Sequence, residues 1–230
     1  MSIRTAQDLD GLRIVATAGG TAEPIDPVRL ITNGSTGKMG TAMAQAALRR
    51  GASVTLISSA PDPTIFGLRF LQMSTVESLR AAVLRECEDA DVLIMAATVS
   101  DFRPVRTEER KIKKTEDRLT IEFESVPDFL CEVRASVFKV GFAAETHDLV
   151  AYAATKFAAH GMQLVCANPV NEPDAGFGAD TDRVTLLDPH APPPLSPSYP
   201  RPRRPTGFST HIKVRYREWR GTSQAVCGWR

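Results

Sequence analysis

Short apolar runs alternate along the chain with segments in which apolar residues recur every three or four positions. Leu12, Ile14, Val15 and Ala16 open the pattern as a buried strand, and Met39, Ala42, Met43, Ala46 and Ala47 then recur at helical spacing. Gly51 after Arg49-Arg50 marks the end of that helix. The β-branched run Ala52–Ser59 and the shorter run Leu68–Met73 predict two more strands, separated by the Pro-Asp-Pro break at 61–63. A capping box of Ser74 with Glu77 is expected to open a helix with Val76, Leu79, Val83, Leu84 and Cys87 on one face. Asp91–Ala97, Val137–Ala143, Met162–Ala167 and Val184–Leu187 read as further strands, and His147–His160 as a helix closed by Gly161.

Between these lie segments that break the rhythm. Residues 98–118 are polar, proline-interrupted and basic at Lys111-Ile112-Lys113-Lys114, a long excursion just after a strand end, where ordered loops usually serve a site. Arg118–Glu124 alternates with period two, placing Leu119, Ile121 and Phe123 on one side of a half-exposed strand, and Pro127–Arg134 suits a short helix. Asn168–Asp182 is a Gly/Pro/Asp-rich loop.

Strands alternating with helices predict an α/β fold: a doubly wound, mostly parallel sheet with helices on both faces, Rossmann-like, with ligands beyond the carboxyl ends of the strands. The loops after Ala16, Ala97, Ala143 and Ala167 then leave one sheet edge, so residues far apart in sequence converge on one crevice. One domain over residues 1–188 is expected. From Pro189 the composition changes: eight prolines fall between 189 and 205, then a basic stretch carries Trp219 and Trp229. Residues 189–230 are therefore expected to be a disordered Pro/Arg-rich tail.

Charge narrows the partners. Residues 201–230 carry eight of the 28 basic and one of the 27 acidic side chains, which leaves the preceding 200 residues with six more acids than bases. A mildly acidic body is not a nucleic-acid-binding surface. No stretch approaches the roughly 20 apolar residues of a membrane helix, and MSIRTAQDLDG lacks the apolar core of a secretory signal, so a cytoplasmic protein without a membrane partner is expected. Cys87, Cys131, Cys166 and Cys227 form no CxxC pair, which fits reduced thiols and argues against zinc; Cys87, Cys131 and Cys166 read as small buried hydrophobes.

The most unusual stretch is Thr17–Gly40, TAGGTAEPIDPVRLITNGSTGKMG, between the first strand and the first helix. Gly19 and Gly20 allow close approach of backbone N–H groups, and Ser35-Thr36-Gly37 sits where a helix N-terminus presents donors and a positive dipole end, an anion site of no standard spacing. Neither GxGxxG nor GxxxxGK[ST] is present, which disfavours a nicotinamide-dependent reductase. Taken singly, the other residues of interest have ordinary readings. Lys111–Lys114 reads as a solvated run, Asn33 as a turn cap, Phe142 as core, Lys156 as an exposed helix lysine and Asp101 as a turn residue.

Taken together, several stretches resemble phosphopantothenate-cysteine ligase, the synthetase domain of the bifunctional coenzyme A biosynthesis flavoprotein. They are the Thr17–Gly40 loop, Ala96-Ala97 through Asp101-Phe102-Arg103-Pro104, the Lys111–Lys114 run, Val140–Thr146, and Cys166-Ala167-Asn168 through Gly176-Phe177-Gly178, in family order over about residues 12–188. The resemblance implies a two-step reaction in coenzyme A biosynthesis. CTP activates the carboxylate of 4'-phosphopantothenate as an acyl-cytidylate, and cysteine then displaces CMP to form an amide. It implies Asn33 at the acyl-nucleotide, Arg29 supporting the cysteine step, and Lys111 neutralising the triphosphate. Gly19, Gly20, Ser35 and Gly37 would supply backbone contacts, Phe142 the cytosine pocket, and Lys156 a second phosphate contact. Asn168, Gly176 and Phe177 would bind substrate, and Asp101 would hold Mg²⁺ or a nucleotide hydroxyl. The expected cofactor is Mg²⁺, with no flavin, and the expected partners are a second copy in a homodimer and a separate decarboxylase. Pro169, in place of an aspartate, His160, in place of a lysine, and a tail unlike the family's final docked helix depart from the pattern. A catalytically inactive nucleotide-binding or assembly subunit is the alternative.

Overall fold

The computed structural model describes residues 7–114, 118–145, 159–169, 185–188 and 212–220. In chain order its elements begin with β1 (Arg13–Ala18), the hairpin β2 (Ala22–Pro24) and β3 (Leu30–Thr32), α1 (Lys38–Arg49), β4 (Ser53–Ser58), β5 (Arg69–Gln72) and α2 (Val76–Glu86). Then come β6 (Val92–Met95), the hairpin β7 (Phe102–Pro104) and β8 (Phe123–Ser125), a 3₁₀ turn at Leu130–Glu132, β9 (Phe138–Glu145), β10 (Leu164–Pro169), β11 (Thr185–Leu187) and a helix over 212–220.

The main sheet has seven strands in the order β11-β10-β9-β6-β1-β4-β5. Six are parallel, and β11 joins the edge antiparallel to β10. Counted along the main sheet alone, the parallel strands run 3-2-1-4-5-6, the doubly wound order whose switch point lies between β1 and β6. The register places Thr17 beside Met95 and Met95 beside Gly141, so β1 and β6 end at one level while β9, paired with β10, runs on four residues to Glu145.

Strand alternation divides the core into two layers. On one face Val15, Ile57, Leu93 and Val165 pack with Leu79 and Val83 of α2 and with Phe129 and Leu130. On the other, Ile14, Ala16, Leu56, Ile94, Phe138 and Val140 pack with Met43, Ala44 and Ala47 of α1. Helix α1 ends as its sequence predicts. Gly51, at φ 94°, donates to Leu48 O and Ala52 to Ala47 O, the paired bonds that close a helix through a left-handed glycine. Helix α2 is capped one residue later than expected: the reciprocal bonds join Thr75 and Ser78, while Glu77 pairs with Arg80 on the surface.

Three other expectations change. Of the predicted strand at 118–124 only β8 forms, and it pairs with β7 outside the main sheet, leaving Leu119 and Phe123 exposed. Cys131 is exposed and donates to Ala159 O at 3.1 Å, whereas Cys87 and Cys166 are buried and burial pushes the Cys87 thiol up to about 12. The tail is not wholly disordered, because residues 212–220 form a helix with Ile212 and Tyr216 buried in the second layer. Ile212, Tyr216 and Trp219 fall at i, i+4 and i+7, an apolar stripe that the preceding prolines overshadow in composition. Tyr216 and Trp219 meet Phe138 edge-on at centroid distances of 6.0 and 5.6 Å, and the Tyr216 hydroxyl donates to Asp91 Oδ1 at 2.9 Å. Residues 189–211 and 221–230 lie outside the described residues. Among the described residues, no helix is long and apolar enough to cross a membrane.

Two substitutions test this packing. Tyr216→Ala removes a buried ring and the partner of Asp91, and should lower unfolding free energy by about 3 kcal/mol in urea titration; a change under about 0.5 kcal/mol would mean that the helix is not docked. Gly40→Ala, in the first turn of α1, would place Cβ 2.2 Å from Thr17 O and 2.7 Å from Ala18 Cβ. Helix propensity favours alanine there by about 1 kcal/mol, but the backbone of β1 must yield, and overpacking costs of about 1–3 kcal/mol should win in the same titration.

Candidate active site

The loop from β1 to α1 is a folded unit of its own. After a tight turn at Gly19-Gly20 the chain forms the β2–β3 hairpin and then returns through Asn33–Gly37 to the start of α1. Gly19 has φ 81°, and a Cβ there would stand 2.1 Å from Ser59 Oγ, so both conformation and space require glycine. Gly37, at φ 75°, begins α1 with no side-chain cap and packs on Gly19; a Cβ on it would lie 3.1 Å from Gly19 N. The N-terminus of α1 is thereby brought beside the turn that leaves β1, the arrangement that favours an anion. Ser35 lies half-buried between Asn33 and Gly37.

Thr98, just past β6, ties this loop to the sheet centre. Its N–H donates to Gly19 O at 2.8 Å, and its carbonyl accepts from Thr21 N at 3.1 Å and from the Asn33 carboxamide at 3.4 Å. Gly20 and Thr98 form a parallel bridge, so β1–β6 pairing continues beyond the strand ends. Below it Ala97 N donates to Thr17 Oγ1 at 3.0 Å, and above it Ser100 N donates to Thr21 Oγ1 at 2.9 Å. The switch point is therefore laced shut at its base, with Gly19, Gly20, Asn33 and Gly37 gathered around Thr98.

Arg29 and the lysine run meet through Asp26, a residue without a role in the sequence-based picture. Asp26 is 1% exposed. Its Oδ1 accepts from Val28 N and Arg29 N, each at 2.8 Å, and its Oδ2 accepts from Ile112 N at 3.1 Å and from the Arg29 guanidinium. Burial alone would raise this carboxyl. The N–H groups of Val28, Ile112 and Arg29, with the guanidinium, outweigh that and hold it at about 2. Arg29 also donates to Ile112 O at 3.3 Å. The same hairpin receives two further bonds, from Glu108 N to Ile25 O and from Thr107 Oγ1 to Pro24 O, both 3.0 Å, so the excursion after β6 is docked along it. Lys111, Lys113 and Lys114 are exposed on either side of the anchored Ile112. The signal was present in Asp26-Pro27-Val28-Arg29, since an aspartate that bonds N–H groups two and three residues ahead is a turn former; its tie to residue 112 was not.

The remaining predicted residues share the sheet end. Asp101 is exposed at the bend before β7, and its carbonyl accepts from Val126 N at 2.8 Å. Phe142 is half-buried in the middle of β9, one residue past the level at which β6 ends, opposite Cys166, and packs on the layer that holds Ala96. Asn168 pairs in register with Ala144 at the same end of β10. Lys156, Gly176 and Phe177 lie outside the described residues. Among the described residues there is no group of three or more His, Cys, Asp or Glu side chains placed to hold a metal by themselves.

Known proteins are similar in sequence and in fold. The Coenzyme A biosynthesis bifunctional protein CoaBC of Bacillus subtilis is 43% identical over 190 residues, covering 80% of this chain and 46% of that protein. Its namesake from Escherichia coli K12 is 41% identical over 190 residues, with 78% and 46% covered. The chain thus spans about half the length of these relatives. Among solved structures, the C-terminal domain of a Coenzyme A biosynthesis bifunctional protein CoaBC superposes with a TM-score of 0.74 at 27% identity, covering 93% of this chain and 100% of that one. A mutant of the protein Cab2, solved with phosphopantothenate-cysteine, shares the fold with a TM-score of 0.73 at 19% identity, covering 93% of this chain and 89% of that one. The profile of one family matches residues 9–197, over the whole of the sheet and the loops that build this site, and the chain belongs to that family, the DNA/pantothenate metabolism flavoprotein C-terminal domain.

Proposed function

We propose that the chain is a ligase of coenzyme A biosynthesis that joins 4'-phosphopantothenate to cysteine in a CTP-dependent reaction through an acyl-cytidylate. The observation that carries this is the joining of two features by one loop: a glycine turn at the N-terminus of α1 with Asn33 beside it, and a triple-lysine segment anchored to the hairpin of the same loop through Arg29 and Asp26. Family membership and the names of the relatives agree with it.

In the first step a carboxylate oxygen attacks the α-phosphorus of CTP. The new P–O bond forms as the bond to the β-phosphate oxygen breaks, and pyrophosphate leaves with the electron pair. Two anions must approach, and negative charge grows on the leaving group, so fixed cations and N–H donors supply the largest help. Lys111, with Lys113 and Lys114, does this from the tip of the β2–β3 hairpin, and the N-terminus of α1 with Gly19, Gly20, Ser35 and Gly37 supplies N–H donors from its base. Asn33 donates to the acyl-nucleotide without adding charge to a reactive anhydride. In the second step the cysteine amine attacks the acyl carbon, the C–N bond forms, the C–O bond to CMP breaks and the amine proton passes to solvent. Arg29, its guanidinium half exposed and oriented by Asp26, faces that step. Phe142, in the middle of β9, would border the base, and Asn168, near the end of β10, the substrate. Mg²⁺ would be held mainly by the phosphates together with one exposed carboxylate, Asp101, and would neutralise charge on the leaving pyrophosphate. Neither step transfers electrons, so no flavin is needed.

Incubation with 4'-phosphopantothenate, CTP, Mg²⁺ and cysteine should release CMP and pyrophosphate in equal amounts. Asn33→Asp should lower that release by about 10²–10³-fold, because it replaces a donor by a charge at the forming anhydride. CTP binding without pyrophosphate release at high enzyme concentration would favour the inactive nucleotide-binding subunit instead.

The same reading includes a homodimer. Val28 and Leu30 of the first hairpin and Phe102, Val105, Leu119 and Phe123 of the second are 37–62% exposed, and the two hairpins dock together. That concentration of apolar surface, on two hairpins docked together, fits a self-complementary contact with a second copy. Sedimentation velocity should give about twice the 25.0 kDa chain mass, and the double variant Leu30→Glu/Val105→Glu should sediment as a monomer with its far-ultraviolet spectrum unchanged; a wild-type monomer would overturn the dimer.

A further inference from the structure

We propose that Asp26 is a positioning residue whose carboxylate holds Arg29 and the lysine segment 111–114 in one fixed arrangement; its effect on catalysis rests on the ligase reading above, while the clamp itself does not. The carboxylate does two separable things. Oδ1 closes a local turn by accepting from Val28 N and Arg29 N, both at 2.8 Å, a task that the carbonyl oxygen of an asparagine performs equally well. Oδ2 faces Ile112 N at 3.1 Å, 86 residues away, and the Arg29 guanidinium, both of them donors. Only an oxygen satisfies that side; an amide NH₂ would set donor against donor. The 1% exposure of Asp26 makes such a mismatch costly, because no water is at hand to replace the lost bonds.

The clamp grips a single peptide unit from two directions. Asp26 takes the N–H of Ile112, and Arg29 donates to the carbonyl of the same residue at 3.3 Å. The backbone at the middle of the run is fixed, while Lys111, Lys113 and Lys114 remain exposed on both sides. Cations mounted on an immobile backbone meet a developing negative charge with little reorganisation, whereas the same lysines on a loose loop would have to be ordered during the reaction. The clamp also couples the two halves of the site, since Arg29 and the lysines are set by the same carboxylate.

Asp26→Asn separates the two tasks, keeping the turn and breaking the clamp. In limited proteolysis of the native protein, trypsin should cut after Lys111, Lys113 and Lys114 about tenfold faster than in the wild type, the response expected when a segment loses charge-assisted bonds and opens locally. Unchanged cleavage there would overturn the clamp, whatever the protein catalyses. In the pyrophosphate-release assay Asp26→Asn should cost about 100-fold alone but less than about threefold in a Lys111→Ala background, because the two act through one feature. Independent, multiplying losses would overturn the positioning role. If the wild type releases no pyrophosphate, the ligase reading fails and the proteolysis arm still decides the clamp. If Asp26→Asn does not fold, Ile112→Pro, which removes the N–H from the lysine side and leaves Asp26 intact, replaces it and must give the same accelerated cleavage after Lys113 and Lys114, the Lys111–Pro bond itself being resistant to trypsin.

Discussion

The pairing of β1 with β6 is the constraint on which the rest of this molecule depends. These strands meet at the point where the winding of the sheet reverses, and their pairing runs past the strand ends through Gly20 and Thr98. A crevice at such a point normally separates two loops. Here the base of the crevice is filled by backbone bonds from Thr98 to Gly19 and Thr21 and by the Thr21–Ser100 pair. Everything above that floor is positioned by it. The Asn33 carboxamide reaches the Thr98 carbonyl, Gly37 can rest on Gly19 because neither carries a side chain, and α1 is drawn onto β1 at Gly40, where even a methyl group would collide with Thr17 O. An anion at this end of the fold would meet donors set by backbone geometry that is fixed from below.

Much of this was legible because it rests on local pattern. The strands of the main sheet and helices α1 and α2 follow from apolar runs and helical spacing, and the closure of α1 at Gly51 from a glycine after two arginines; the helix expected at His147–His160 falls mostly outside the described residues. What pattern could not show is pairing between distant segments. Thr17–Gly40 reads as one continuous loop because its two three-residue strands are too short to register as periodic. Arg118–Glu124 has the alternation of a half-buried strand, yet it pairs with another short strand outside the main sheet, and its apolar face stays open. Alternation reports which side a residue faces and not what stands there.

Asp26 shows the same limit at the site. In the sequence it is one acid among prolines, and the residue that gives it meaning lies 86 positions away. Arg29, Asn33 and the lysine run were legible only as members of an ordered set of motifs, since each alone has a commoner explanation. The structure adds a physical link that the set lacked: one buried carboxylate touches both Arg29 and the lysine segment. An exposed lysine run needs no buried acid for solubility, and a turn needs no charge. The burial of Asp26 therefore has its explanation in joining the two.

The helix at 212–220 places stability and chemistry at opposite ends of the sheet. Tyr216 bonds to Asp91, which precedes β6 and also accepts from Arg13 N, at the start of β1; Trp219 and Tyr216 pack on Phe138, the first residue of β9. Lys213 pairs with Asp8, ahead of β1, and Arg215 with Asp188, which follows the antiparallel β11 and so lies at the same end. Every one of these contacts is at the amino-terminal edge of the parallel strands, whereas Gly19, Asn33, Thr98 and Phe142 stand at the carboxyl edge. A change of sequence in this helix acts on the sheet through burial of its aromatic stripe, and reaches the site only as far as the β1–β6 pairing transmits it. The tail can therefore diverge in composition, as its prolines and arginines show, provided that Ile212, Tyr216 and Trp219 keep their spacing.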